Sequence, residues 1–524
     1  MSGKRGDELV MSLPGERFTP FTLAKKLKAR AILESASFKQ GRARYSLILV
    51  DEAFRVVQEG NEVALYIAGE RRLWDGSGGT AGRAGLAGSA GMAGDKPGGR
   101  KPDILDALAY VAAQNAGVAP GLPVPASGIG FLGYDFAARC DTLILASKPD
   151  DIGVPESEFI VGHVYLVFDH YTDMIHAIGL NYAEHRIDLG AKMQEIGKRL
   201  SDLDFSHLEP LSEGVPFTVV SDEAAQKAVF MAGVDSIRQR IIAGDLLQAV
   251  LSRRLVAESS LGALEGYRRL RSASPSPYLF LVDFGGYALL GASPESLVRL
   301  RDGQASIRPI AGTRRRGKTH VEDQALEKEL LADPKERSEH LMLLDLARND
   351  LGRACEPGSV RVTRNTEAEQ FSHVIHLVSE VEGALARNHT GLDLLRAAFP
   401  AGTVSGAPKL RAMEIVSGLE QYDRSFYAGA VGYLDASGGF DTCITIRSAL
   451  VKDGRWYLQA GAGIVYGSTP EREREETNEK LAALLLALGG RVSASEGSIL
   501  ASGGKVSASG SNIPVQESRA GGAA

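Results

Sequence analysis

Two pairs of glutamates, Glu336 with Glu339 and Glu473 with Glu476, are spaced by one helical turn. That spacing puts the members of each pair on one helix face. Four carboxylates brought together without Cys or His at metal-ligand spacing would form an oxygen-only site. Such a donor set suits Mg²⁺, which takes one or two carboxylates and fills its shell with water and substrate oxygens. A second reading is equally simple. KERSEH (335–340) and EREREETNEK (471–480) are charge-rich helical runs of the kind that form solvated faces laced with ion pairs. Composition alone favours the solvated faces, and only an independent reason would reverse that.

A different stretch suggests different chemistry. Gly312–Thr319, GTRRRGKT, satisfies the phosphate-loop pattern G-x-x-x-x-G-K-[ST], and the run Leu341-Met342-Leu343-Leu344-Asp345 imitates the strand-ending Asp of a nucleotide hydrolase. Local physics opposes this reading. A phosphate loop needs small residues so that consecutive N–H groups can turn onto an anion, whereas Arg314, Arg315 and Arg316 crowd the interval with long cations. Leu341–Asp345 also falls in a helical pattern. A phosphate-loop NTPase is the alternative against which the rest of the chain is weighed, and under the competing reading Lys318 is expected to face solvent.

The composition around these residues is that of an ordinary globular protein: 524 residues, 44% hydrophobic and 24% charged. That is enough for a sizeable core, as two or three domains or one large fold. A net charge of -6 and a pI near 6.0 give no basic footprint for nucleic acid or an acidic membrane. Cys140, Cys355 and Cys443 lack metal-ligand spacing, which suggests a reducing compartment. The N-terminal MSGKRGDELVMSLPGERF has no apolar core of signal-peptide length and no run is long enough for a bilayer, so a cytoplasmic location is expected.

Near the N-terminus a basic helical stretch at 21–33 runs into Ile32-Leu33-Glu34-Ser35, and β-branched, aromatic runs at 45–50 and 62–67 read as strands. Residues 75–101 are dominated by Gly and Ala and cannot repay the entropy of ordering, so a mobile loop inserted within a domain is expected there. A helix is expected at 104–114, a glycine-punctuated segment GIGFLGYD at 128–135, a strand at 159–168, a helix at 191–203 and then a polar connector. These make an N-terminal region, 1–215. In a second region, 222–490, a helix at 224–243 precedes strands at 277–284, 287–290, 296–301 and 306–309. Helices are expected at 322–331, 336–346, 392–398 and 409–419, then strands at 428–434, 440–451 and 456–460, and a closing helix at 472–488. The Ser/Gly/Ala-rich residues 492–524 read as a disordered tail. Helices and strands do not alternate as parallel units require, so an α+β fold on antiparallel sheets is expected.

Six blocks in order then carry a resemblance: PIAGTRRRG (309–317), SEHLMLLDLARNDLG (338–352), HVIHLVSEV (373–381), FPAGTVSGAPK (399–409), FDTCITIRSAL (440–450) and AGAGIVYGSTPEREREET (460–477). Together they resemble the chorismate-utilising enzymes over residues 225–490. The N-terminal third is similar, more weakly, to anthranilate synthase large subunits through ILES and GFLGYD. The resemblance implies a large antiparallel β-sandwich flanked by helices, a site between its layers, Mg²⁺ as cofactor and chorismate as substrate.

Two side chains choose among the reactions of that family. Relatives that add water to chorismate carry a lysine base where this chain has Gln248, and an amide is no useful base near neutral pH. Relatives that make aminodeoxychorismate typically carry a nucleophilic lysine in PIKGT, where this chain has Ala311. The resemblance thus implies anthranilate formation, the first step of tryptophan biosynthesis. Ammonia adds at ring C2 as the C4 hydroxyl leaves, and pyruvate is then eliminated. Aminodeoxychorismate formation for folate is the alternative.

Residue roles follow from the same resemblance. Glu295 resembles the acid that protonates the departing hydroxyl, and His376 the group that assists the proton removal driving pyruvate loss. Glu339 and Glu476 resemble direct Mg²⁺ ligands, with Glu336 and Glu473 holding metal waters. Tyr427, Arg447 and Lys480, with backbone N–H groups near Gly461 and Gly463, resemble a carboxylate cradle, and Thr403, Gly312 and Thr313 resemble ring and hydroxyl contacts. A tryptophan pocket is implied at Glu34, Ser35, Pro277, Tyr278, Leu279, Phe280, Val431, Gly432, Tyr433 and Cys443, with Leu279 in place of the usual Met. No glutaminase block accompanies the three cysteines, so a separate amidotransferase subunit is the expected source of ammonia from glutamine, in a hetero-oligomer.

Overall fold

The computed structural model describes residues 8–36, 44–76, 100–149, 151–202, 215–371 and 374–489, together with the backbone of strands at 491–492, 498–501 and 504–507. Residues 77–99 of the Gly/Ala-rich stretch, and most of the tail after 492, lie outside the described residues.

The two longest strands organise the sheet. Tyr45–Glu59 and the wholly buried Ser157–Asp169 pair along their length. At one end of this ribbon Tyr45–Glu59 pairs with Ala31–Glu34, which begins a first layer that continues through Tyr278–Asp283, Ala288–Ser293, Ser448–Lys452, Arg455–Ile464 and Gln248–Ser259. At the other end Ser157–Asp169 pairs with Ile129–Leu132. This begins a second layer through Ala430–Leu434, Phe440–Ile444, Ser296–Arg301, Gln304–Ile307 and Val374–Ala384. Every one of these ladders is antiparallel, as the α+β sandwich expectation required. Strands from either side of 203–214 pair directly, Ala31–Glu34 with Tyr278–Asp283 and Ile129–Leu132 with Ala430–Leu434.

Period-two alternation sorts the cores. Phe280, Val282 and Leu289 point between the layers with Phe131, Val298, Val431 and Phe440. Their neighbours Leu279, Leu281, Leu290 and Ala292 point outward against Phe21, Tyr267, Leu481 and Leu484 of the flanking helices Pro20–Leu27, Ala263–Ala273 and Pro470–Ala487.

Two expected elements differ. The helix expected at 21–33 ends at Leu27, where Lys28 takes φ 55° and closes it, and Ala31–Glu34 is a strand because its buried apolar pair fits the sheet. The single strand expected at 440–451 is broken at Thr445–Arg447, where the chain leaves one layer for the other. Among the described residues no helix is long and apolar enough to cross a membrane.

Candidate active site

Two crossovers between the layers position the chemistry. Pro294 and Glu295 join Ala288–Ser293 of the first layer to Ser296–Arg301 of the second, and Thr445–Arg447 join Phe440–Ile444 to Ser448–Lys452. The corners are tied together: the Ile444 N–H donates to the Glu295 carbonyl (3.1 Å) and the Ala292 N–H to the Arg447 carbonyl (3.0 Å). Arg447 sits at φ 51°, a left-handed conformation that a side chain of this size adopts only at a cost.

Both corner side chains are electrostatically unusual. Burial pushes the Glu295 carboxyl up to about 8, with the Thr403 hydroxyl and the Lys480 ammonium pulling it partway back. Glu295 is therefore largely protonated near neutral pH. Thr403, from the short turn Gly402–Val404, has a buried hydroxyl that, apart from its pull on Glu295, completes no hydrogen bond among the described residues. The Arg447 guanidinium makes no hydrogen bond or ion pair among the described residues. Burial lowers its pKa, and Tyr427 and Glu476 favour its charge from nearby. A buried cation without a partner is a receptor for an anion.

His376 enters from Val374–Ala384. Its Nδ1 lies 2.7 Å from the Gly312 carbonyl and 3.2 Å from Thr313 Oγ1. A carbonyl can only accept, so Nδ1 carries the proton and Nε2 is left as a lone pair. Burial lowers the His376 pKa, which keeps the ring neutral. The carbonyl is aimed by a bulge: the register slips between Ala311 and Thr313, and Gly312 takes φ 61°. The φ favours glycine, and a Cβ there would crowd Glu336 Oε2 and Leu330 Cδ1 at 3.1 Å.

Strand Arg455–Ile464 forms the floor. A Cβ at Gly461 would lie 3.0 Å from the Tyr427 hydroxyl, and one at Gly463 would lie 2.5 Å from Gln248 Nε2, so both side chains cross bare backbone. Lys480 Nζ donates to the Gly461 carbonyl at 2.7 Å and pairs with Glu476 at 2.7 Å.

The four carboxylates converge from helices Pro334–Gly352 and Pro470–Ala487. Burial raises the Glu339 pKa, and the charges of Glu336 and Glu476 raise it further. Glu473 is raised by burial and by Glu476, against a hydrogen bond from Ser468. Glu476 is held below the usual range by Lys480, Arg472 and Arg447, which outweigh its burial. Glu336 is held by Arg314 at 3.1 Å, whereas Glu339 has no hydrogen-bond or ion-pair partner among the described residues. A half-buried carboxylate pressed by two like charges fits a hard cation. Among the described residues no three His, Cys, Asp or Glu side chains are arranged to hold a metal ion by themselves.

Arg314 had no role on sequence grounds beyond crowding a phosphate loop. In the fold it clamps Glu336, Asp333 and Glu329 at 3.1, 2.7 and 3.0 Å. The nucleotide reading fails at the same place. Ile310–Arg315 is an antiparallel strand, the Gly317 N–H donates to Asp323 (2.8 Å), the Lys318 N–H donates to Glu322 (2.6 Å), and Lys318 is exposed. The amides a phosphate would need are already occupied by carboxylates.

A separate cavity of about 710 Å³ opens behind the corner. Glu34, Ser35, Pro277, Tyr278, Leu279, Phe280, Val431, Gly432, Tyr433 and Cys443 all line it. The Glu34 carboxylate is itself engaged by the Tyr267 hydroxyl (2.7 Å) and by Arg271 (2.9 Å). Asp441, which sequence reasoning did not single out, also lines the cavity and accepts from the Tyr278 hydroxyl at 3.0 Å. Pro294 and Ser296 face the cavity while Glu295, between them, lies near Thr403 and Lys480. One turn of backbone therefore separates the two compartments.

The comparisons agree with this geometry. The chorismate binding enzyme family model matches residues 70–486. Anthranilate synthase component 1 of Spirochaeta aurantia is 50% identical over 93% of this chain and 97% of its own length. The protein of that name from Acetivibrio thermocellus is 43% identical over 70% of this chain and 76% of its own. The crystal structure of anthranilate synthase component I from Streptococcus pneumoniae TIGR4 superposes with TM-score 0.70 at 36% identity, covering 84% of this chain and 92% of that one. The menaquinone-specific isochorismate synthase of Escherichia coli shares the fold, with TM-score 0.66 at 18% identity over 92% and 94% of the two chains. With the family model spanning most of the sequence, the chain belongs to the chorismate binding enzymes, among the anthranilate synthase component 1 proteins.

Proposed function

We propose that this chain is the chorismate-converting subunit of an anthranilate synthase, making anthranilate, pyruvate and water from chorismate and ammonia. The observation that carries the reading is a pair of crossovers joined through their backbones, one bearing Glu295, whose carboxyl burial pushes up to about 8, and the other bearing Arg447, whose guanidinium has no hydrogen-bond or ion-pair partner among the described residues. Arg447 and the Tyr427 hydroxyl receive the enolpyruvyl carboxylate over Gly461. Glu295 gives its proton to the C4 hydroxyl as ammonia attacks C2, so that water departs. The ammonium formed at C2 returns a proton to the Glu295 carboxylate. His376 Nε2 then takes the C2 proton while the bond from C3 to the ether oxygen breaks, leaving an aromatic ring and the enolate of pyruvate, which takes up a proton at its methylene carbon. Glu339 and Glu476 would hold Mg²⁺ directly, and Glu336 and Glu473 through water. When bound, the ion would neutralise the ring carboxylate. Gln248, an amide over Gly463, offers no base to activate water, which favours ammonia as nucleophile.

The ammonia comes from free ammonium or from a separate glutamine amidotransferase. Burial pushes the Cys140 thiol up to about 12 and raises Cys355 and Cys443 as well, so none is a poised nucleophile for glutamine. Purified chain with chorismate, ammonium and Mg²⁺ is expected to yield anthranilate, and with glutamine alone to yield nothing. Isochorismate or aminodeoxychorismate as the product, or unaided glutamine hydrolysis, would overturn the reading.

Tryptophan is the proposed occupant of the second cavity, whose wall includes Pro294 and Ser296 on either side of Glu295. Millimolar tryptophan is expected to depress turnover and raise the melting temperature, since a ligand of the folded state stabilises it. A protein unaffected on both counts would rule this out.

A further inference from the structure

We infer that His340 and Ser379 are positioning residues for the carboxylate cluster, joining the helix that carries Glu336 and Glu339 to the strand that carries His376. The inference rests on the metal reading of those glutamates. Both residues are fully buried, and His340 Nε2 lies 2.7 Å from Ser379 Oγ. The same oxygen accepts the Thr366 N–H at 2.8 Å, where the neighbouring strand bends at φ 52°. The Ser379 N–H donates to the Pro309 carbonyl at 3.2 Å, at the start of the segment that leads to Gly312. Ser379 thus ties together four elements: its own strand, the bent strand Arg361–Gln370, the substrate loop and, through His340, the helix Pro334–Gly352.

The placement along the helix gives the link its function. Arg314 grips Asp333 and Glu336 at the helix start, and Ser379 grips His340 one turn further on. Glu339 lies between the two anchors with no partner of its own, so its carboxylate is aimed only by the helix backbone. Among the described residues Ser379 is the one hydrogen-bond partner of the His340 ring, because Nδ1 is buried without another. Loss of the Ser379 contact therefore frees the ring and lets the helix roll at the glutamates. Groups that orient metal ligands at one remove typically govern metal affinity by about 10- to 100-fold.

The test uses full-length protein and Mn²⁺ as a spectroscopic substitute for Mg²⁺, with binding followed by electron paramagnetic resonance without chorismate. His340→Phe keeps the ring volume and loses the hydrogen bond, and Ser379→Ala is the smaller change. Each is expected to raise the Mn²⁺ dissociation constant about tenfold. His340→Gln, whose amide can reach the hydroxyl, is expected to restore it to within about threefold. Leu351→Ala opens a cavity at the far end of the same helix, where Leu351 is fully buried, and should lower the melting temperature with unchanged Mn²⁺ affinity. Unaltered binding in both His340→Phe and Ser379→Ala, or equal weakening in Leu351→Ala, would overturn the positioning role alone. A parent protein that takes up no Mn²⁺ or Mg²⁺ would overturn the metal reading and this inference with it.

Discussion

An Arg447→Met enzyme is expected to lose about a thousandfold in kcat/KM for chorismate while melting no lower than the parent. Removing one member of a buried charge pair costs about 3–5 kcal/mol, because the other charge is left uncompensated. On the proposed mechanism that other charge is the enolpyruvyl carboxylate of the substrate, so the whole cost would fall on the complex and its transition state. The free protein stands on the other side of the ledger. Its Arg447 guanidinium is buried, is disfavoured as a cation by that burial and has no hydrogen-bond partner among the described residues. Methionine fills similar space without a charge to desolvate and meets the same left-handed backbone at φ 51°. Steady-state kinetics with anthranilate fluorescence and a thermal melt read the two effects separately. A kcat/KM within tenfold of the parent would remove Arg447 from substrate binding. A large fall in melting temperature would show that the guanidinium holds the fold together rather than waiting for an anion.

What the chain itself made legible follows from the range of the forces involved. Helices such as Glu223–Ile242 and Pro470–Ala487 were readable because capping and side-chain periodicity are local. The corners were not readable. The run 440–451 is β-rich throughout, and what bends it at Thr445–Arg447 is pairing with residues about 150 positions away, such as Cys443 with Ser296. Likewise the spacing of Glu336, Glu339, Glu473 and Glu476 showed two helix faces, but nothing local said that the faces would meet. The motif resemblance supplied that. The phosphate-loop pattern, which local physics already opposed, matches here because it scores letters and ignores neighbours. Glu322 and Asp323, just downstream, fill the amide groups that the pattern assigns to a phosphate. Arg314 was misread for the same reason, since its partners Glu329, Asp333 and Glu336 are recognisable only once two helices fold back on its strand.

Glu295→Gln carries the other large effect, and here activity and stability again move in opposite directions. The amide copies the shape of the protonated acid but has no acidic proton to give, so kcat is expected to fall by about 10²–10⁴-fold. On the proposed mechanism the acid form of the parent is the active one. With the rate expressed per free ammonia, activity should rise with pH as His376 becomes neutral, below the ordinary histidine value because burial lowers its pKa, and should fall above about 8 as Glu295 ionises. The variant should keep the lower limb and lose the upper one. The stability sign comes from the same proton. Folded Glu295 holds it up to about 8, whereas the unfolded chain releases it near the ordinary carboxyl value of 4.5. Between those values the unfolded state binds fewer protons, so the stability associated with this site is fully present below 4.5 and is lost as pH climbs to about 8. Glutamine has no proton to lose, so the melting temperature of the variant should gain on the parent's across that window and level off above it. Parallel melting curves from pH 5 to 9 would mean that the carboxyl is already ionised in the fold, and the proton donor for the C4 hydroxyl would then have to be sought elsewhere in the site.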